Sequence, residues 1–281
     1  DKILFILNFI SFKYISKNIL YFVKLLIYKK FSMIFKPIKK IVNLFGYKLI
    51  NKNIIKNNKT LSSHSKINLK IVLENIFNKQ KIENLIQIGA NDGISFDEIN
   101  FFIKKYKVKS ILVEPIKENF EKLKNNYRDL DYIQFENIAI SNKKEVSYLY
   151  KVDSKFNNYY DTHIPAIPSF DKKHLLNHGV KNSHIIKERV NSLSVKDLIT
   201  KYKIDNLDLF FVDAEGYDGN IVLDLLNETD LRPIIIFEYV HIENKILKNL
   251  IEKIISKKFF YFQVNECVIV FPNEKNLELF F

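Results

Sequence analysis

The sequence predicts an α/β fold with a mostly parallel sheet and an antiparallel hairpin at its end, and three observations carry that prediction. Short apolar runs stop abruptly at a glycine or a carboxylate: Asn84 to Gly89, Lys109 to Glu114, Leu207 to Asp213 and Pro233 to Glu238. Between them lie segments with apolar residues at helical spacing, the alternation expected of parallel strands joined by helices. Phe259 to Val264 and Cys267 to Phe271 then flank Asn265-Glu266 as a hairpin, which a plain dinucleotide-binding fold lacks.

Taken in order, Ile67 to Phe77 is helical by spacing and leads into Leu85, Ile86 and Ile88, a buried strand too short for a helix. Gly89 and Gly93 follow, with a helix expected over Ile94 to Tyr106. Strand, glycine turn and helix together bring backbone N–H groups to the sheet edge where α/β folds bind nucleotide-like cofactors. The turn holds two glycines, not the three of the dinucleotide fingerprint. Ile111 to Val113 form the next strand, ending on Glu114, one helix and one strand beyond Gly93. An acid at that place accepts hydrogen bonds from both hydroxyls of a cofactor ribose. Glu118 to Tyr127 reads as a helix, Tyr132 to Ile140 as a third strand and Glu145 to Val152 as a further strand. Residues 153–184 break the rhythm with Pro165, Pro168 and four histidines, a length of irregular chain that suits a lid. His174 and His178 stand four apart on an expected helix there, but no third ligand at supporting spacing accompanies them, so no metal site is assigned. Ile185 to Val190 is a strand and Ser194 caps a helix running to Tyr202. Leu207 to Val212 is a fully buried strand that runs into Asp213-Ala214-Glu215-Gly216-Tyr217-Asp218. Gathering three carboxylates at a strand end is costly unless a ligand, proton or cation uses them. A helix over Ile221 to Leu226, the strand ending at Glu238 with His241 just beyond, and a helix over Asn244 to Ile255 complete the alternation.

Charge is unevenly placed. Residues 1–60 hold thirteen lysines against one acid, Asp1, so the whole net charge of +12 lies there and the remaining chain balances. Lys2, Lys13, Lys17 and Lys24 cluster on one side of a helical projection of an otherwise apolar segment. Residues 1–50 therefore read as a basic amphipathic helical segment that lies on a membrane surface or packs on a partner, and 51–66 as a linker to a domain over 67–281. The longest charge-free run, Ile3 to Phe12, is too short to span a bilayer, and no small-residue cleavage site marks a signal peptide. The opening at Asp1 in place of Met suggests a translated start upstream. A segment this apolar does not suit a solvated nucleic-acid-binding arm, so no nucleic acid is expected. One cysteine, Cys267, excludes a disulfide framework and a cysteine metal cage and fits a reducing compartment, and with the basic apolar front end the expected place is the cytoplasm, peripheral to the inner membrane face.

Three stretches together resemble the FkbM-type S-adenosylmethionine-dependent methyltransferases: Ile88-Gly89-Ala90-Asn91-Asp92-Gly93 with Asp97, Glu114-Pro115 with Asn119, and Val212 to Asp218. Pro168-Ser169-Phe170 and Arg232-Pro233 to Phe237-Glu238 are similar to weaker features of that family. The resemblance covers roughly 84–272 and implies the class I methyltransferase fold, Rossmann-like, with seven strands of which the last is antiparallel. It further implies S-adenosylmethionine as cofactor. The turn from Gly89 through Ala90, Asn91 and Asp92 to Gly93 would face its methionine part, Glu114 its ribose, and Asn137 to Ala139 its adenine. Gln87 stands where many members carry an acid for the cofactor's amino group, which leaves Asp92 or Asp97 to take that place.

Methyl transfer to an alcohol needs alignment and a base or an assisting divalent cation to remove the proton. Asp213, Glu215, Glu238 and His241 sit at two neighbouring strand ends and are the candidates, with Asp213 first because its strand adjoins the glycine-turn strand in this topology. A hydroxyl of a sugar, a glycan or a small metabolite is the expected acceptor. A nicotinamide-dependent oxidoreductase would share the first turn and Glu114 without explaining the Asp213 cluster, and a non-catalytic membrane-tethered binding module would keep the basic front end alone.

Overall fold

The computed structural model describes residues 68–142 and 145–273. The basic segment expected over 1–50 and the linker over 51–66 lie outside those residues. Among the described residues, no helix is long and apolar enough to cross a membrane.

The main sheet has seven strands: β1 (Asn84–Ile88), β2 (Lys109–Val113), β3 (Ile133–Glu136), β7 (Leu209–Val212), β8 (Ile234–Glu238), β9 (Phe260–Val264) and β10 (Cys267–Phe271). Their spatial order is β3-β2-β1-β7-β8-β10-β9, with β10 antiparallel to both of its neighbours and the other pairs parallel. The apolar runs in the sequence are continuous because the central strands are buried on both faces. Leu85 of β1, Leu209 and Phe211 of β7, and Ile234 and Ile236 of β8 face one core. Ile86, Ile88, Phe210, Val212, Ile235 and Phe237 face the other. Helices α1 (Leu69–Lys79), α2 (Asn100–Tyr106) and α3 (Lys117–Asn126) supply the first core, and α5 (Val195–Tyr202), α6 (Asp218–Glu228) and α7 (Asn244–Ser256) supply the second. Strand order reverses between β1 and β7, and the carboxyl ends of strands beside such a reversal are where α/β sheets hold ligands.

Two local expectations are corrected. The helix expected from Ile94 begins only at Asn100. Asp92 accepts from the Ile94 and Ser95 N–H groups, and Asp97 from those of Ile99 and Asn100, so two short acidic side chains hold successive turns in place of a first helical stretch. The single strand expected over Tyr132 to Ile140 is two. After β3 the Asn137 side-chain amide donates to the Glu114 and Pro115 carbonyls, and the chain leaves the main sheet. It then forms β4 (Ala139–Ile140), which joins β5 (Glu145–Val152) and β6 (Ile185–Leu193) in a separate three-stranded sheet, order β4-β6-β5, that the sequence did not announce.

Residues 153–184 connect β5 to β6. They contain short 3-10 turns, one helix, α4 (Lys172–Asn177), and an apolar cluster of their own made by Ile164, Ile167, Leu175 and Val180 with Val152. The insertion is held to the β7 turn by the Ser169 hydroxyl, which donates to the Glu215 carbonyl at 2.9 Å, and by the Phe170 and Tyr217 rings, 4.7 Å apart.

Candidate active site

A cavity of about 710 Å³ opens at the carboxyl ends of β1, β2, β7 and β8, with His163, Ile167, Pro168, Phe170 and His178 of the insertion in its wall. Its floor is shaped by a close approach of two backbones. Gly89 has φ +82°, and a Cβ there would lie 1.8 Å from the Asp213 carbonyl oxygen, so no other residue fits. The N–H groups of Gly89 and Ala90 both donate to the Val113 carbonyl, at 2.9 and 3.0 Å, which ties the turn to the end of β2.

The turn residues divide. Gly89, Ala90 and Asn91 line the cavity, whereas Asp92 and Gly93 do not. A Cβ on Gly93 would lie 2.5 Å from both Leu123 and Tyr127, so this glycine lets the turn sit on α3 and does not face the cavity. Asp92 is occupied by Ile94, Ser95 N–H and the Ser95 hydroxyl. Asp97 differs. One of its oxygens receives the Ile99 and Asn100 N–H groups, while Oδ2 is buried without a hydrogen bond at the cavity. Burial pushes its carboxyl up to about 6, against the two N–H groups and the neighbouring Gln87 side chain, which comes close without completing a hydrogen bond. Gln87 itself is buried in the same wall with Oε1 unpartnered.

Glu114 emerges beside the glycine turn because β1 and β2 pair in parallel register. Its two oxygens receive the Asn91 and Ile116 N–H groups at 3.0 and 2.8 Å. Burial raises its carboxyl to about 7 in spite of those donors. Asn137 lies outside the cavity, tying down the end of β2, and its neighbours Ile138, Ala139 and Ile140 line the wall.

On the other side of the strand reversal, Asp213 ends β7 next to β1. Burial raises its carboxyl well above the ordinary range, with Glu215, Asp218 and Glu238 adding to the shift. Asp218 does not line the cavity: fully buried, it accepts from the Ala214 and Gly216 N–H groups and so folds the turn that presents Asp213 and Glu215. Glu238, at the end of β8, is pushed to about 8 by burial and by Glu215 and Asp218. His241 stands 4.0 Å from Glu238, and burial together with His174 lowers its pKa. Cys267 begins β10 in the same wall, its thiol pushed up to about 12 by burial and by Glu98 and Glu238.

The third ligand whose absence argued against a metal at His174 and His178 is supplied from a distant part of the chain. His174, His178 and His241 converge, with nitrogen atoms within 4.8 Å of one another, and Glu215, Glu238 and His241 form an overlapping group. His174 Nε2 lies 3.1 Å from Glu215 Oε2. Sequence spacing could not show this, because His241 reaches the cluster only through the packing of the β8 turn against the insertion.

Orphaned acceptors at Asp97 and Gln87, buried carboxyls on both flanks and a floor of closely packed backbone at Gly89 make a cavity suited to a cation that also carries vicinal hydroxyls. S-adenosylmethionine has both features. The family model described as the methyltransferase FkbM domain matches residues 87–260. No curated protein matches the sequence. Among solved structures, the methyltransferase FkbM from Methylobacillus flagellatus KT is 14% identical with a TM-score of 0.42, over 69% of this chain and 45% of that one. The METTL16 MTase domain is 13% identical with a TM-score of 0.40, over 72% of this chain and 64% of that one. The chain thus spans less than two thirds of the length of either.

Proposed function

Since the chain belongs to the FkbM methyltransferase family, we propose that it transfers a methyl group from S-adenosylmethionine to a hydroxyl of a sugar, glycan or small metabolite, with Asp213 as the base. The observation that carries this reading is the pairing of two kinds of acid across one cavity. Asp97 and Glu114 flank the glycine turn, and Asp213 ends the adjacent strand. Bound there, S-adenosylmethionine supplies an electrophilic methyl on a sulfonium centre. Asp97 Oδ2, buried and unpartnered, is the acceptor for the cofactor's ammonium group that Gln87 cannot offer as a charge. Glu114 keeps lone pairs beyond its two backbone donors and meets the ribose hydroxyls. Asp213 takes the proton of the acceptor hydroxyl, its basicity raised by burial and by the acids around it. Family membership favours methyl transfer over the nicotinamide-linked oxidoreduction and the non-catalytic module that the sequence left open.

Asp213→Asn is expected to leave binding of S-adenosylhomocysteine intact and to lower turnover by about two or more orders of magnitude. Calorimetry and a methyl-transfer assay on the same preparation check both parts, and undiminished turnover moves the base elsewhere.

We also propose that residues 1–50 hold the enzyme on the cytoplasmic face of a membrane, where a lipid-linked or otherwise membrane-bound acceptor is within reach. What supports this is the confinement of the net charge of +12 to the first sixty residues, among Phe, Ile, Leu and Tyr. Each lysine near an anionic surface contributes up to about 1 kcal/mol. In flotation with anionic vesicles the full chain should rise with the lipid and a chain beginning at residue 67 should not. Equal behaviour of the two makes the segment a packing element.

A further inference from the structure

We infer that His174, His178, His241 and Glu215 form a binding site for one divalent transition-metal ion, which fastens the insertion over 153–184 to the carboxyl edge of the sheet. The inference rests on the methyltransferase reading only for any use of the ion in the reaction; ion binding itself stands on the geometry below.

The first support is an unsatisfied donor atom. His174 is buried, at 9% exposure, yet its Nε2 makes no hydrogen bond. The Glu215 carboxylate is only 3.1 Å away, but the contact is out of line for a hydrogen bond, so closeness here does not amount to pairing. Leaving a buried ring nitrogen and a carboxylate oxygen side by side and unlinked is costly. A cation between them links both, and 3.1 Å is near the separation of roughly 3.3 Å between two ligand atoms of a tetrahedral ion bound at about 2.0–2.1 Å.

The second support is the tautomer of His178. Its Nδ1 lies 2.9 Å from the His174 carbonyl oxygen, which can only accept, so Nδ1 carries the proton and Nε2 keeps its lone pair. Metal-bound histidines are commonly oriented by such a bond from the other ring nitrogen. The three rings pack with centroids 4.5, 4.7 and 5.2 Å apart, and their ligand nitrogens lie within 4.8 Å, so small side-chain rotations close them around one ion.

The backbone is arranged to the same end. Glu215 has φ +48°, an unfavourable conformation for a residue with a side chain. Next to it, a Cβ on Gly216 would lie 3.0 Å from the His241 carbonyl oxygen, so this glycine lets the two ligand-bearing turns press together. Three imidazoles and one carboxylate suit zinc, iron, nickel or copper and not magnesium or calcium, which prefer oxygen. His174 and His178 come from the insertion while Glu215 and His241 follow β7 and β8, so an ion held by all four would cross-link the lid to the sheet.

The test uses the full chain, stripped with a chelator and titrated with Co(II) as a spectroscopic probe, with Zn(II) as competitor. One equivalent should give the intense visible bands of four-coordinate cobalt, and one equivalent of zinc should bleach them. His178→Gln, at a half-buried position that spares the fold, and His241→Gln should each weaken cobalt binding at least about tenfold. Zinc should slow hydrogen exchange across 153–184 in the unaltered chain. No cobalt spectrum, binding unaffected by both substitutions, or zinc binding that leaves exchange over 153–184 unchanged overturns the inference. Calorimetry with S-adenosylhomocysteine on the same preparations separates the two readings: cobalt bands without cofactor binding count against the methyltransferase assignment alone, and cofactor binding without cobalt bands counts against the ion site alone.

Discussion

At the residue scale, the side chains with unspent hydrogen-bonding capacity say more about function than the sequence motifs that contain them. Asp92 and Asp97 are equal candidates in the sequence, and only the structure separates them: three hydrogen bonds occupy the first, and the second keeps a bare oxygen at the cavity. Glu114 is legible from its place at the end of a strand that follows a glycine turn. Its second task is not, because the two N–H groups it accepts are recruited by the bend of the backbone at Asn91 and Ile116. Glu114→Ala should therefore do two things at once: weaken S-adenosylmethionine binding by about 1–3 kcal/mol and destabilise the fold by stranding two donors. Glu114→Gln keeps an acceptor for one of those donors and sets its NH2 against the other, so it should cost less stability than Glu114→Ala while calorimetry shows the loss of affinity. Unchanged cofactor affinity in a well-folded Glu114→Gln protein removes the ribose role.

At the scale of elements, the main sheet was readable because its strands are buried on both faces and stop at a glycine or an acid. Of the second sheet, β5 and β6 were expected as strands, but β4 and the pairing of the three apart from the main sheet were not. β4 is two residues long, and β5 and β6 alternate polar and apolar residues as an edge pair would in many places. The late start of α2 escaped for another reason: Ile94, Ile99 and Phe102 have helical spacing, but Asp92 and Asp97 spend their carboxylates on the intervening backbone. The docking of the insertion also depends on contacts that pattern cannot reveal. Ser169, nearly fully buried, donates to the Glu215 carbonyl and receives the Asp171 N–H. Ser169→Ala should cost about 1–3 kcal/mol by leaving that carbonyl unpaired. Hydrogen exchange should quicken over 153–184 and stay unaltered in β1 and β7, and uniform acceleration across the chain would mean that Ser169 supports the whole domain instead of the docked insertion.

For the whole molecule, the gathering of buried acids at one sheet edge makes stability depend on pH in a stated direction. Asp97, Glu114, Asp218 and Glu238 hold their protons to about 6, 7, 7 and 8 in the fold, against ordinary values of 3.8 for Asp and 4.5 for Glu. The folded state thus binds these protons more tightly than the unfolded chain does. Their contribution is fully present below the ordinary values and is lost as pH rises through the folded ones. Urea unfolding of the ligand-free protein should show stability falling between about pH 5 and pH 8, and saturating S-adenosylmethionine should flatten that fall by giving the ionised carboxylates a cation. A curve that rises over the same range would mean that these groups do not carry the balance. The same wall contains Cys267, the sole thiol in 281 residues. With its pKa near 12 and much of its surface covered, almost none is thiolate at neutral pH in the folded protein. Alkylation of this protein thus has one address, and its rate is a chemical clock for how often that one thiol is laid bare and ionised.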